Sequence, residues 1–180
     1  MKVTPASLRG HGSFRQAGLT LIETLVSLSI FALVVGGALA LFGSASASQV
    51  TTQFTSDLNA LRAATKALYF GQGTYGSGSL TEVLINGKKV PSTMVLTGAA
   101  PSRVINHSLN GTIAVAGSSS QFTVTASNIP TEICIGLAGM SGWDSIKIGA
   151  NQRPSPVAPG QASTDCSTGG TLQTMVFIGS

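Results

Sequence analysis

Glu23 is the only charged residue between Leu19 and Gly43. It sits near the start of a run that includes Leu25, Val26, Leu28, Ile30, Phe31, Leu33, Val34, Val35, Leu39, Leu41 and Phe42. No Lys or Arg occurs from Gln16 to Leu61. The run shows no polar face, and a helix apolar all round is buried in lipid or protein. It is long enough to cross a bilayer, for which about 20 residues suffice. An ionised side chain in such a segment costs roughly 2.5–3.5 kcal/mol near the bilayer centre and less near an end. Two chemistries account for Glu23. It reaches the headgroups from one turn inside the helix, or it meets a positive charge supplied by another molecule.

The elements before Glu23 narrow the choice. A basic, polar leader carrying Lys2, Arg9 and Arg15 stops at Gly18, and the greasy helix begins at once. A secretory signal would use the Ala45-Ser46-Ala47 site, but its apolar region would be too long and would begin with an acid. A plain single-pass anchor leaves the placement of Gly18 and Glu23 unexplained. The third reading is a leader cut immediately after Gly18.

Gly18-Leu19-Thr20-Leu21-Ile22-Glu23 followed by an apolar helix resembles the type IV pilin signature. The resemblance implies cleavage by a prepilin peptidase between Gly18 and Leu19, N-methylation of Leu19, and Glu23 as the fifth mature residue. An eighteen-residue leader, a first mature residue that is Leu, and the absence of proline between Pro5 and Pro91 resemble the type IVb branch. Cleavage would create a cationic amine at Leu19, which on an incoming subunit could pair with a neighbour's Glu23. Tyr69-Phe70-Gly71-Gln72-Gly73-Thr74-Tyr75-Gly76 and Lys89-Val90-Pro91-Ser92-Thr93-Met94 also resemble the PilS-type pilins of thick conjugative-plasmid pili.

The chain has 180 residues, of which 9% are charged, and a formal charge of +4. Losing Lys2, Arg9 and Arg15 with the leader leaves seven basic side chains against six acidic ones. A near-neutral mature chain has no basic field for nucleic acid. The basic leader fits a cytoplasmic N-terminus and an exported remainder. In an exported domain Cys134 and Cys166 are expected to form a disulfide, the alternative being two buried thiols. Closing that loop would contribute roughly 3–4 kcal/mol. The two histidines, His11 and His107, make no metal-ligand cluster with the cysteines, so neither a metal nor a cofactor is expected.

The expected fold class is α+β: one long helix over about 19–70, packed on a small antiparallel sheet domain with short helices and one disulfide. Residues 1–18 read as leader, 19–43 as membrane-spanning and filament-core helix, 44–70 as its continuation, and 71–180 as a globular head. Gly36-Gly37 weakens the helix by about 1 kcal/mol per residue relative to Ala, and is either tolerated packing or a place where the helix loosens. Phe54, Leu58, Leu61, Thr65 and Leu68 form an amphipathic stripe, with Asp57, Asn59, Arg62 and Lys66 largely off it. Ser79-Leu80-Thr81-Glu82 reads as a capping box opening a short helix that Asn86-Gly87 closes. Asn110-Gly111 predicts a hairpin between Val104–Asn106 and Thr112–Ala116, with His107 in an exposed loop. Residues 121–125 alternate as a third strand. A helix over residues 129–137 carries Cys134, with Pro130 at its start. Residues 143–148 read as a strand with Trp143 in the core, 151–170 as a loop containing Cys166, and 172–178 as a last strand.

No catalytic constellation occurs: no phosphate-binding Gly-rich loop, HExxH, GxSxG or paired CxxC. An enzyme is not expected. The expected function is a structural subunit that polymerises through its N-terminal helix into an extracellular filament for adhesion, aggregation or mating-pair contact. Its partners would be other copies of the same chain, the prepilin peptidase, the pilus assembly platform and, before assembly, the inner membrane. The alternatives are a minor pilin or type II secretion pseudopilin, and a membrane-anchored binding domain that never polymerises. Scattered acids such as Asp144 and Asp165 place the calcium-bearing pseudopilin lower.

Overall fold

The computed structural model describes residues 20–180, with the side chains of residues 40–47 outside the description. Helix α1 runs without a break over Leu21–Leu68. With no proline along it, every backbone donor past the first turn finds its acceptor four residues back. The chain divides into two units, Met1–Gly43 and Ser44–Ser180. In the first, Leu21–Leu39 has a mean hydropathy of 2.0 and none of it is buried. Two of its hydroxyls are satisfied by the helix itself: Thr24 Oγ1 donates to the Leu21 carbonyl and Ser29 Oγ to that of Leu25, both at 2.8 Å.

In the second unit α1 supplies one wall of the core. Phe54, Leu58, Leu61 and Thr65 are fully buried, and the Thr65 hydroxyl donates to the Leu61 carbonyl at 2.8 Å. The stripe is wider than expected. Asp57 is also buried, and its Oδ1 accepts from Gln53 Nε2 at 3.0 Å and Thr93 Oγ1 at 2.8 Å. Thr93 arrives from a distant turn, so sequence spacing alone could not reveal that a carboxylate there would be satisfied.

The other wall is an antiparallel sheet of eight strands: β1 (Ser77–Ser79), β2 (Val95–Thr97), β3 (Val104–His107), β4 (Gly111–Ser118), β5 (Gln121–Pro130), β6 (Ser145–Ile148), β7 (Asn151–Pro154) and β8 (Leu172–Gly179). Their order is β2-β3-β4-β5-β8-β6-β7, with β1 paired to β4. Alternation sends Ile113 and Val115 of β4, Phe122 and Val124 of β5, and Met175 and Phe177 of β8 into the core. In β5 both Ala126 and Ile129 point inward, an odd spacing that strict alternation forbids. A register shift between them, with Asn128 at φ 57, inserts the extra residue that turns Ile129 in.

Three expectations are corrected. The β3–β4 turn is a three-residue loop, because His107 pairs with Gly111 and Asn110 takes φ 57. Helix α2 (Thr81–Asn86) has Leu80 at its N-cap with no side-chain cap, since Ser79 belongs to β1 and Glu82 is held elsewhere. Residues 151–170 are not a loop. They hold β7 and helix α4 (Pro159–Ser167), with Pro159 in its first turn. Helix α3 (Thr131–Ala138) carries Cys134 as expected, with Pro130 as its N-cap. Cys134 and Cys166 form the disulfide, joining α3 to α4 with Cα atoms 5.9 Å apart and both residues fully buried.

Candidate assembly interface

The exposed stretch of α1 is the largest chemical anomaly in the molecule. Eleven large apolar side chains from Leu21 to Leu39 are between 38% and 79% exposed. At 100° per residue they cover the whole circumference of the helix. Removing each from water is worth about 1.5–3 kcal/mol, on the order of 20 kcal/mol together. That far exceeds the roughly 2.5–3.5 kcal/mol penalty of taking one carboxylate along. The segment is therefore built to be covered, by lipid or by protein, despite Glu23. Glu23 lies in the first turn of α1. Its backbone N–H donates to the Thr20 carbonyl at 3.0 Å, and its carboxylate has no partner among the described residues. A carboxylate at a helix N-terminus is favoured by the helix dipole. The cleavage pair Gly18 and Leu19, with the rest of the leader, lies outside the described residues. Gly36 and Gly37 sit within the unbroken helix, and a Cβ on either would meet nothing within 4 Å.

The Ser44–Ser180 unit contributes held charges rather than a reaction centre. Glu82 of α2 accepts the Arg103 backbone N–H at 2.7 Å and pairs with its guanidinium at 2.7 Å, which lowers the Glu82 pKa. Arg103 also donates to Asn86 Oδ1. Asp165 of α4, almost wholly buried, accepts from Arg153 Nε and Asn151 Nδ2 of β7, both at 2.9 Å. The Arg153 hydrogen bond holds the Asp165 carboxyl below the usual range, against the opposing effect of burial. Each pair ties a short helix to the sheet side of the core.

His107 is the clearest departure from expectation. It is the last residue of β3, buried, with its ring 4.7 Å from that of Phe54 on α1. Nδ1 accepts the Leu109 N–H at 3.3 Å, so the neutral ring carries its proton on Nε2 and donates to the Ser127 carbonyl at 2.9 Å. Burial pushes its pKa down. A Cβ at Gly111 would overlap both this ring and the Ser127 carbonyl, so glycine is required there. The signal was present in the sequence: His107 shares the strand parity of inward-facing Ile105.

An open groove of about 690 Å³ is lined by Ser48, Gln49, Val50, Thr52, Gln53, Ser56 and Ser108, none of them titratable near neutrality. Among the described residues no three His, Cys, Asp or Glu side chains are grouped to hold a metal. Trp143 is buried, as expected of a core residue, and Arg62 lies over its ring.

The family model for the PilS N-terminal region matches residues 47–180, and the model of the prokaryotic N-terminal methylation motif matches residues 13–39. The fold is similar to a type IVb pilin from Salmonella typhi, with a TM-score of 0.58 and 23% identity over 68% of this chain and 95% of that one. It is also similar to TcpA, a type IV pilin from Vibrio cholerae El Tor biotype, with a TM-score of 0.55 and 15% identity over 73% of this chain and 99% of that one. No curated protein matches the chain in sequence.

Proposed function

This chain belongs to the PilS family of type IV pilins, and on that premise we propose that it is the subunit of a type IVb pilus. The observation that carries the proposal is α1: exposed and apolar around its circumference over Leu21–Leu39, with the Glu23 carboxylate in its first turn. The precursor sits in the inner membrane with residues 1–18 in the cytoplasm. The prepilin peptidase cuts between Gly18 and Leu19 and methylates the new amine. The assembly platform then moves the helix from lipid into a homopolymer, where other copies cover the same apolar surface. There the Leu19 amine of one subunit meets Glu23 of another. Two unit charges about 4 Å apart attract by roughly 4 kcal/mol at an effective dielectric of about 20, enough to offset the cost of burying Glu23. Residues 44–70 hold the head, 71–180, on this core. Gly36-Gly37 is the place where the helix loosens on entering the filament. The finished filament serves surface contact: adhesion, aggregation or mating-pair stabilisation.

The test combines electron microscopy of sheared surface material with N-terminal mass spectrometry. Filaments of this chain beginning at methylated Leu19 are expected. A mature start at Ser48 or Gln49, or a chain confined to the membrane fraction, would overturn the reading.

A further inference from the structure

The charged side chains of the Ser44–Ser180 unit divide into paired and unpaired. Glu82 is held by Arg103, Asp165 by Arg153, and Asp57 by Gln53 and Thr93. Arg62 of α1 has no carboxylate partner among the described residues. It is nevertheless fixed in place. Its Cζ stands 5.6 Å from the centroid of the Trp143 ring, a cation–π contact. Its Nη1 lies 2.8 Å from where a Cβ on Gly142 would stand, and Gly142 takes φ +94, so the slot depends on glycine there. Arg62 Nε and Trp143 Nε1 are buried with no acceptor among the described residues. A guanidinium held this way keeps its planar fork free for a carboxylate.

Two acids of the same unit, Glu132 and Asp144, also lack a partner among the described residues. Asp144 adjoins Trp143 in the chain and still makes no ion pair with Arg62. Glu132 is exposed in the first turn of α3, one turn before Gly136 and on the same helix face. A Cβ on Gly136 would lie 3.5 Å from Thr51 of α1. So α3 flanks α1 beside Thr51, and the chain then climbs the same flank to Gly142 and Trp143 beside Arg62. Thr51 and Arg62 are about 16 Å apart along the axis at 1.5 Å per residue. One flank thus presents an unpaired anion low and a preorganised cation high. Identical copies displaced along α1 would bring one head's Glu132 toward another's Arg62. Such a head-to-tail contact repeats without closing.

We propose that Arg62, seated on Trp143 and Gly142, receives the Glu132 carboxylate of a second copy in the filament. The inference rests on the assembly reading above. The experiment uses intact filaments of an Arg62→Lys variant treated with a zero-length carbodiimide, followed by mass spectrometry of the peptides. The expected product is a chain dimer joined between position 62 and Glu132. A 62–132 link found only in chains that run as monomers on denaturing gels would overturn the proposal. Glu132→Gln should abolish the link and lower the yield of sheared filaments at least tenfold. Its membrane level should stay normal, with the Cys134–Cys166 bond closed on non-reducing gels. Filaments that form normally with Glu132→Gln, or that give no 62–132 link in Arg62→Lys, overturn the proposal and leave the pilus reading standing. Absence of filaments from the unsubstituted chain would sink the pilus reading instead.

Discussion

At the scale of single residues, two buried groups give the head opposite-signed charges to manage in acid. His107 is neutral and fully bonded, and its pKa is depressed chiefly by burial. The unfolded chain therefore takes up its proton first. Stability from this group is complete above the ordinary histidine value of 6.5 and is lost as pH falls below it. Thermal unfolding followed from pH 7.5 to 5 should show a falling midpoint in the natural chain and a flatter profile in His107→Phe. That variant should also lose roughly 1–3 kcal/mol at pH 7.5, because the Ser127 carbonyl is left without its donor. Asp165 acts in a lower window. Its pKa is lowered chiefly by the Arg153 hydrogen bond, so its contribution is present above the ordinary carboxylate value of 3.8 and disappears as pH drops through the depressed one. Asp165→Asn should remove the loss below that value while leaving the His107 step intact, readable in the same titration. Glu23→Val belongs to this scale too. It should leave membrane insertion and the proposed cleavage after Gly18 unaffected while abolishing or mis-registering filaments, and normal piliation by microscopy would argue against the proposed pairing with Leu19.

At the scale of elements, α1 and the disulfide dominate. Phe54 is fully buried where α1 crosses the β3 end, against the His107 ring. Phe54→Ala should cost about 3–5 kcal/mol, measured by urea unfolding. Cys134 and Cys166 close a loop with a sequence separation of 32. Replacing both by Ser should cost roughly 3–4 kcal/mol relative to the unsubstituted chain, and reductant should lower the midpoint of the unsubstituted chain but not of the variant. Which elements were legible follows from how they bury. The long helix, its Phe54-Leu58-Leu61 stripe and strands β4, β5 and β8 bury large aliphatic or aromatic side chains at a clear period, so composition announces them. Helix α4 hides its period in small and polar groups: Ala162, Asp165 and Cys166 face the core, and Pro, Gly and Ser elsewhere mimic a loop. Strand β7 is similar: it buries no apolar side chain, and Asn151 and Arg153 are held instead by hydrogen bonds to Asp165. The capping box failed because Ser79 was already committed to pairing with β4. Glu23, Gly18 and Leu19 were legible as a pattern, whereas the Arg62 slot was not: its Trp and Gly come from a segment some eighty residues away.

At the scale of the whole molecule, sparse charge is the governing feature. Only 9% of residues are charged. With the leader gone, the near balance of basic and acidic side chains leaves no field able to concentrate polyanions. Assembled filaments should not retard duplex DNA in an electrophoretic mobility assay at physiological salt; retardation there would overturn this expectation. A lightly charged subunit also makes each unpaired charge count, which favours the register-setting roles proposed for Glu23, Arg62 and Glu132 against a background of Ser, Thr, Ala and Gly.

The sheet order has a consequence in time. Strand β8, residues 172–179, lies between β5 and β6, and comes after every other strand in the chain. Until those residues are in place, β5 has no neighbour on one side and the β6–β7 hairpin has nothing to join. The head is then two unfinished half-sheets with open edges. Completion is thus tied to delivery of the closing strand. A chain that ends before Leu172 should therefore stay unsealed and be cut quickly by added protease, whereas the full chain should resist.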